Sequence, residues 1–233
     1  MSFGRPRQGG LTFGPSRYYA VVLRVNEIFH SIQGESTHAG RPCVFVRLTG
    51  CNLRCVWCDT AYAFHEGSAW TVDAVVDRVG TYGCKLVEVT GGEPLLQPEA
   101  IDLMRTLLAR GYDVLLETGG SLPIEHVPEG VRRIVDIKCP GSGECDRNRW
   151  DNLAALRPGD ELKFVIADRA DYDWAAGMLV SRALHEKAPV LFSAVQEKML
   201  AGELARWVLH DRLPARVQLQ MHKILWPDAV RGV

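Results

Sequence analysis

Cys51, Cys55 and Cys58 stand in the stretch Gly50-Cys-Asn-Leu-Arg-Cys-Val-Trp-Cys-Asp-Thr60, a C-x3-C-x2-C spacing. Thiolates are soft ligands that select zinc, Cu(I) or iron–sulfur clusters. Three of them can hold three irons of a cubane cluster and leave the fourth iron open to bind and cleave a ligand. A structural zinc site instead wants four ligands, usually as two separated cysteine pairs. Cys43, Cys84, Cys139 and Cys145 are single and scattered. One of them, from afar, could complete a zinc site or a closed cluster; for Cys43 and Cys84 packing is the simpler role. Gly50 and Asn52 suit a tight loop. Trp57, between two of the thiols, is placed to shield a cluster or touch a bound adenine.

A second stretch, Thr90-Gly-Gly-Glu-Pro94, pairs two glycines. Without a Cβ, backbone there can approach a ligand closely. Alone, the same residues would be a plain turn.

These stretches need elements to position them. Strand-like runs are residues 20–29, 43–48, 86–90, 113–117, 133–137, 161–166, 190–192 and 217–220. Helix-like runs cover 71–82, 98–109, 149–156, 170–185 and 200–209. Ile101, Leu103, Met104, Leu107 and Leu108 follow a helical period, and Gly111 punctuates the end of that helix. Strands alternating with helices predict right-handed βαβ units and a mainly parallel sheet. In such folds ligands gather at the carboxyl ends of the strands. The cysteine loop, Thr90–Pro94, Glu117–Gly120 and Asp136–Pro140 all fall at such ends. Short helical segments after Gly120 and Gly141 point to a partial rather than a full barrel.

Composition narrows the class. Residues 1–19 are rich in Gly, Arg, Pro and Ser without periodicity, and read as a loose arm or, in part, a mis-assigned start. Residues 20–233 read as a single catalytic domain, since no linker or repeat divides them. Net charge is −1, so no global field draws the chain to nucleic acid or an acidic membrane. No apolar run approaches a membrane span. Arg5 and Arg7 precede no apolar segment before Leu23, which predicts no secretory signal and a cytoplasmic location with reduced thiols.

The cysteine loop after a strand, Trp57 just before the third cysteine, and Gly91-Gly92-Glu93-Pro94 after the next strand together resemble the radical S-adenosylmethionine superfamily. A closer resemblance, from Asn26 to about Trp226, is to the 7-carboxy-7-deazaguanine synthase family. It is carried by Glu27-Ile-Phe-His-Ser-Ile-Gln-Gly-Glu35, by Gly40-Arg-Pro-Cys-Val-Phe-Val-Arg-Leu-Thr-Gly50, by Asp59-Thr60 after the third cysteine, and by Gln220-Met-His-Lys223. Ser36 departs from it, where many relatives have glycine, and the N-terminal arm is not covered.

The resemblance implies an α/β fold: a modified partial (β/α) barrel of radical-SAM type, with a mainly parallel sheet and some reduced crossover helices. It implies a [4Fe–4S] cluster on Cys51, Cys55 and Cys58. S-adenosylmethionine would meet the main chain of Trp57, Cys58 and Asp59 and leave its amino group at Gly92. Asp136, Ile137, Lys138, Ser193, Ala194, Val195 and Gln196 are further candidates for that cofactor. Thr60 matches a position offering its hydroxyl to Mg2+. Ile32, Gln33 and Gly34 match a backbone cradle for a pterin ring, Arg47 and Thr90 match substrate positions, and His222 closes the pocket from the tail. The implied activity is that of a lyase: radical ring contraction of 6-carboxy-5,6,7,8-tetrahydropterin to 7-carboxy-7-deazaguanine with loss of ammonia, in queuosine and 7-deazapurine biosynthesis. A homodimer and a flavodoxin-like electron donor follow from the same resemblance.

Plainer readings stand beside these. Arg47 alone would be a surface ion pair, Gln33 a turn residue, His222 a surface histidine, and Thr60 a cap. Glu35 and Glu93 would hold loop geometry. Glu125, Glu129, Arg132 and Arg133 read as a solvated face. The alternative enzyme is a glycyl-radical activating protein, which shares Ser31–Glu35 in looser form. The non-enzymatic alternative is a zinc-stabilised binding module.

Overall fold

The computed structural model describes residue 1 and residues 22–233. The expected N-terminal arm, and the first two residues of the expected first strand, lie outside the described residues.

Among the described residues nine strands form one sheet: β1 (Val22–Ile32), β2 (Pro42–Leu48), β3 (Ser68–Thr71), β4 (Leu86–Gly91), β5 (Asp113–Thr118), β6 (Arg132–Ile137), β7 (Glu161–Ile166), β8 (Val190–Ala194) and β9 (Arg216–Gln218). Their order is β3-β1-β2-β4-β5-β6-β7-β8-β9. From β2 to β9 every pairing is parallel. β1 runs antiparallel to β2 and to β3. The short β3 and the antiparallel start were not legible in the sequence. Among the described residues β3 and β9 are edges that pair on one side, so the sheet is open, as the expected partial barrel requires.

Four α-helices cover one face: α1 (Val72–Gly80), α2 (Glu99–Ala109), α3 (Arg169–Ser181) and α4 (Ala201–Asp211), with a short α5 (Met221–Leu225) in the tail. In α1 the buried residues are Val72, Val75, Val76 and Val79; in α2 they are Ala100, Leu103, Met104 and Leu107. Both sets follow the i, i+3, i+4, i+7 stripe of a helix lying on a sheet. Each such side chain contributes about 1.5–3 kcal/mol on full burial. Thr71 caps α1 by accepting from Ala74 N at 3.2 Å, and Asp168 caps α3 by accepting from Asp171 N at 2.9 Å. These caps satisfy backbone donors that no helical turn can reach.

Two crossovers carry no α-helix. Between β5 and β6 the chain runs without one, and between β6 and β7 it makes only 3-10 turns. The helix expected over 149–156 is one of these, Trp150–Ala154. Arg133 fills the space beneath. It is fully buried, correcting the solvated-face expectation, and it pairs with buried Asp160. Its Nη1 donates to Ile124 O at 2.9 Å and its Nη2 to Ala155 O at 2.7 Å. One side chain thereby ties both helix-less crossovers to the sheet.

Candidate active site

The uncovered face of the sheet is apolar low down and charged near the carboxyl ends of its strands. Phe29, Phe45, Leu86, Leu115 and Ile134 form a small core there. Period-two alternation puts Arg47, Glu88, Thr90, Glu117, Asp136, Lys163 and Ser193 on the same face, nearer the carboxyl ends. Register aligns Arg47 with Thr90 and Asp136 with Lys163.

The cysteine loop follows β2 directly. Gly50, with φ 97°, lets the chain leave the strand in a conformation that disfavours side chains. Cys58 N donates to Cys55 O at 3.2 Å, which folds the second and third ligands into one turn. All three cysteines are free and half-buried; Cys51 feels the charge of Cys58, and Cys55 that of both others. Burial pushes all three up, Cys55 to about 11, while Lys138 works to lower each. A metal centre here must therefore displace protons. Among the described residues no three Cys, His, Asp or Glu side chains are grouped tightly enough for a single metal ion. Thiolates on separate irons of a cluster sit further apart than those around one zinc.

The Gly-Gly-Glu turn locks against this loop. Gly92 N donates to Leu48 O at 3.2 Å and Glu93 N to Gly50 O at 2.7 Å. A Cβ on Gly92 would lie 2.8 Å from Cys51 Cβ and closer still to the Gly50 carbonyl. Glu93 is completely buried. It accepts from Thr118 Oγ1 at 2.9 Å, Gly119 N at 2.7 Å and Leu95 N at 3.0 Å. That is the loop-holding role expected of it. It clamps the ends of β4 and β5 together.

Around the rim, Asp136 pairs with Lys138 at 2.6 Å, and its Oδ1 is buried without a partner. Burial opposes its charge, but Lys138 and Lys163 hold its carboxyl below the usual range. Ser193 Oγ is also buried and unpartnered. Ile137 and Ala194 are buried beside them, Val195 N is spent on Ile166 O at 2.9 Å, and Gln196 is exposed. Trp57 lies under the Lys198 ammonium, 5.1 Å from its ring centre. Thr60 stands at the N-cap of the turn Ala61–Phe64 but makes no cap bond; its hydroxyl turns to Asp59 Oδ1 at 3.1 Å.

Arg47 is largely buried. It pairs with Glu27 at 2.7 Å and lies over the rings of Phe29 and Tyr62. The plain surface ion pair is therefore not its setting. Ile32 ends β1, and the loop Gln33–Arg41 turns back on itself. Gln33 N donates to Arg41 O at 2.8 Å, Gly40 N to Gln33 O at 2.8 Å, and Met221 N to Gly34 O at 3.0 Å. The main chain expected to cradle a ring thus offers chiefly second lone pairs. The tail closes over it: a Cβ on Gly34 would lie 2.9 Å from His222 N.

The sequence reading gave no role to Lys163, which ties this charged group together. Lys163 is buried and reaches Glu35 at 2.9 Å, Glu117 in a closer contact, and Asp136 at 4.0 Å. Burial opposes its charge, but these carboxylates raise its pKa well above normal. Gln220 donates to Glu35 at 2.9 Å, and Lys223 pairs with Asp59 at 2.9 Å. One signal could have found this group. Glu88, Glu117, Asp136 and Lys163 are charges set inside otherwise apolar strands, where burial without pairing is costly.

The chain's own atoms fit the expected cofactors. Three half-buried thiols in one loop, a glycine turn packed too closely on that loop to admit a Cβ, and two orphaned buried oxygens all lie near the carboxyl ends of the strands.

The Radical SAM superfamily model matches residues 45–139. The chain is 46% identical over 228 residues to the 7-carboxy-7-deazaguanine synthase of Koribacter versatilis, covering 91% of this chain and all of that one. It is 46% identical to the enzyme of that name from Chlorobaculum tepidum, over 91% and 97% of the two chains. It is 36% identical to that of Methanospirillum hungatei, over 87% and 85%. The crystal structure of QueE from Escherichia coli superposes with a TM-score of 0.71 at 20% identity, over 86% of this chain and 95% of that one.

Proposed function

The chain belongs to the 7-carboxy-7-deazaguanine synthase family of radical S-adenosylmethionine enzymes, and from that premise we propose how its residues serve the reaction. It is a lyase that contracts 6-carboxy-5,6,7,8-tetrahydropterin to 7-carboxy-7-deazaguanine, in 7-deazapurine and queuosine biosynthesis. Its cofactors are a [4Fe–4S] cluster and S-adenosylmethionine. Family membership displaces the glycyl-radical activating and zinc-module readings.

The observation that carries the site is the locking of the Gly91–Pro94 turn onto the cysteine loop through Gly92 and Gly50. When bound, the cluster and S-adenosylmethionine supply the one-electron chemistry, and the protein supplies position and shelter. Cys51, Cys55 and Cys58 hold the cluster. Gly92, packed against Gly50 and Cys51, offers its backbone to the amino end of S-adenosylmethionine, and the orphaned Asp136 Oδ1 and Ser193 Oγ are its polar partners at later strand ends. Main chain at Trp57, Cys58, Asp59, Ile137, Lys138, Ala194, Val195 and Gln196 completes that contact. Arg47 offers a guanidinium to the substrate carboxylate. Thr90, Gln33 and neighbouring main chain at Ile32 and Gly34 fix the ring edge, under the lid made by His222. Thr60 contributes its hydroxyl to Mg2+, which keeps waters and prefers oxygen ligands.

Residues 22–233 act as one domain, which their single continuous sheet supports. A second copy of the chain docks on the apolar row of exposed Val217, Leu219, Ile224 and Leu225. A flavodoxin-like protein supplies electrons in the cytoplasm, where the thiols stay reduced; no described helix is long and apolar enough to cross a membrane.

The test is anaerobic reconstitution with iron and sulfide, then incubation with the carboxypterin, S-adenosylmethionine and reductant, with and without Mg2+. Formation of the deazaguanine product is expected; a loaded cluster without product rejects the substrate. Cys55→Ala should lose both the brown chromophore and turnover, and survival of either rejects the ligand set.

A further inference from the structure

Glu88 lies at the floor of the pocket, 1% exposed, in the middle of β4. Its Oε2 accepts from Gln33 Nε2, and its other contact is the carboxyl group of Glu117. Among the described residues no cation pairs with it. Lys163, the nearest, makes its ion pairs with Glu35, Glu117 and Asp136 instead. The groups that face Glu88 are Gln33 and Glu35 from the loop after β1, Cys43 from β2, Glu117 from β5 and Lys163 from β7. Glu35, Glu88 and Glu117 thus crowd around the Lys163 ammonium, while Asp136 has Lys138 as its closer partner. Two adjacent buried carboxylates repel each other unless one holds a proton. A buried carboxylate without a cation of its own costs several kcal/mol.

We propose that Glu88 is a positioning residue that stays protonated, donating its O–H to Glu117 while accepting from the Gln33 amide. The consequence is geometric. Glu117, 28% exposed at its side chain, is held by Lys163 and Glu88 and keeps lone pairs free for a ligand on the exposed side. Gln33, held at its Nε2, uses its Oε1 to accept from Glu35 N at 2.7 Å. Glu35 and Glu117 are thereby fixed as a pair of acceptors, suited to the N–H donors of a pterin ring. Burial and the neighbouring Glu117 raise the pKa of Glu88 well above the carboxylate range, against the pull of Lys163.

This inference rests on the substrate reading above, so wild-type turnover of the carboxypterin is measured first; its absence rejects that reading and not this one. The variants are Glu88→Ala and Glu88→Gln, the amide being an uncharged isostere of the protonated acid. Glu88→Ala should raise KM about tenfold, since it frees two polar partners, while kcat stays within about twofold. Glu88→Gln should restore KM and remove the alkaline fall in kcat/KM that ionisation of Glu88 causes in the wild type. Infrared spectra of the protein without cofactors provide the independent readout: a protonated-carboxyl band present at neutral pH and missing in Glu88→Gln. Equal impairment of both variants, an unchanged KM in Glu88→Ala, or no lost carboxyl band would each overturn the proposal.

Discussion

The ammonium of Lys223 sits 2.9 Å from the carboxylate of Asp59, joining the C-terminal tail to the residue that follows Cys58. Gln220 grips Glu35 from the same segment. The tail therefore touches both the cysteine loop and the loop after β1. Burial opposes the Asp59 charge, yet Lys223 holds its pKa at about 2.

Lys223→Met removes that clasp without removing the tail. KM for the carboxypterin should rise about three- to tenfold, the range of one partly exposed ion pair and its ordering effect. Cluster absorbance should be unchanged. Steady-state kinetics beside an iron count decide it; equal KM values would mean that the tail closes the pocket without this pair.

Gly92→Ala should disable the enzyme while leaving it folded. The new methyl meets the Gly50 carbonyl and Cys51 Cβ, so the cysteine loop must move. A displacement near 1 Å at a reacting centre costs about a hundredfold in rate. Turnover and S-adenosylmethionine affinity should both fall. Retention of either at wild-type level would show that the cradle has slack.

Arg133→Met should act on stability alone. It leaves buried Asp160 without its cation, held only by the backbone N–H groups of Arg133 and Arg157, and takes a donor from each of the Ile124 and Ala155 carbonyls. Breaking a buried pair on one side costs about 3–5 kcal/mol. Urea denaturation should show a loss of that size, and a loss under 1 kcal/mol would mean that water reaches Asp160.

Glu88 also links stability to pH. The unfolded chain releases this proton near the ordinary value of 4.5, while the native state keeps it to well above that. Between the two values the unfolded state binds fewer protons, so stability falls as pH rises. The wild type should lose about 1.4 kcal/mol per pH unit more than Glu88→Gln across that window. Parallel stability curves from pH 5 to 7 would mean that Glu88 is ionised in the native protein.

Much of the site could be read along the chain because its pieces are local. Cys51, Cys55 and Cys58 lie within one loop, and Gly91–Pro94 within one turn, so spacing reports their chemistry directly. Gly111, with φ 77°, ends α2 as its residue type predicts. The helix expected over 149–156 failed because tertiary contacts overrode propensity: its backbone is held to the β5–β6 crossover by Arg149 N donating to Gly120 O and Asn152 Nδ2 to Leu122 O.

The sequence by itself determined the metal chemistry, the alternation of strands and helices, and the ends of strands where the motifs gather. These depend on residue types a few positions apart. Only the tertiary structure decided that Glu35, Glu88, Glu117 and Lys163 share one pocket floor, that Arg133 is buried, and that Lys223 reaches back to Asp59. Those partners are separated by up to 164 residues, the distance from Asp59 to Lys223. Their charges are tolerated inside only because the curl of the sheet brings opposite signs and donors together, a cancellation that no local spacing records.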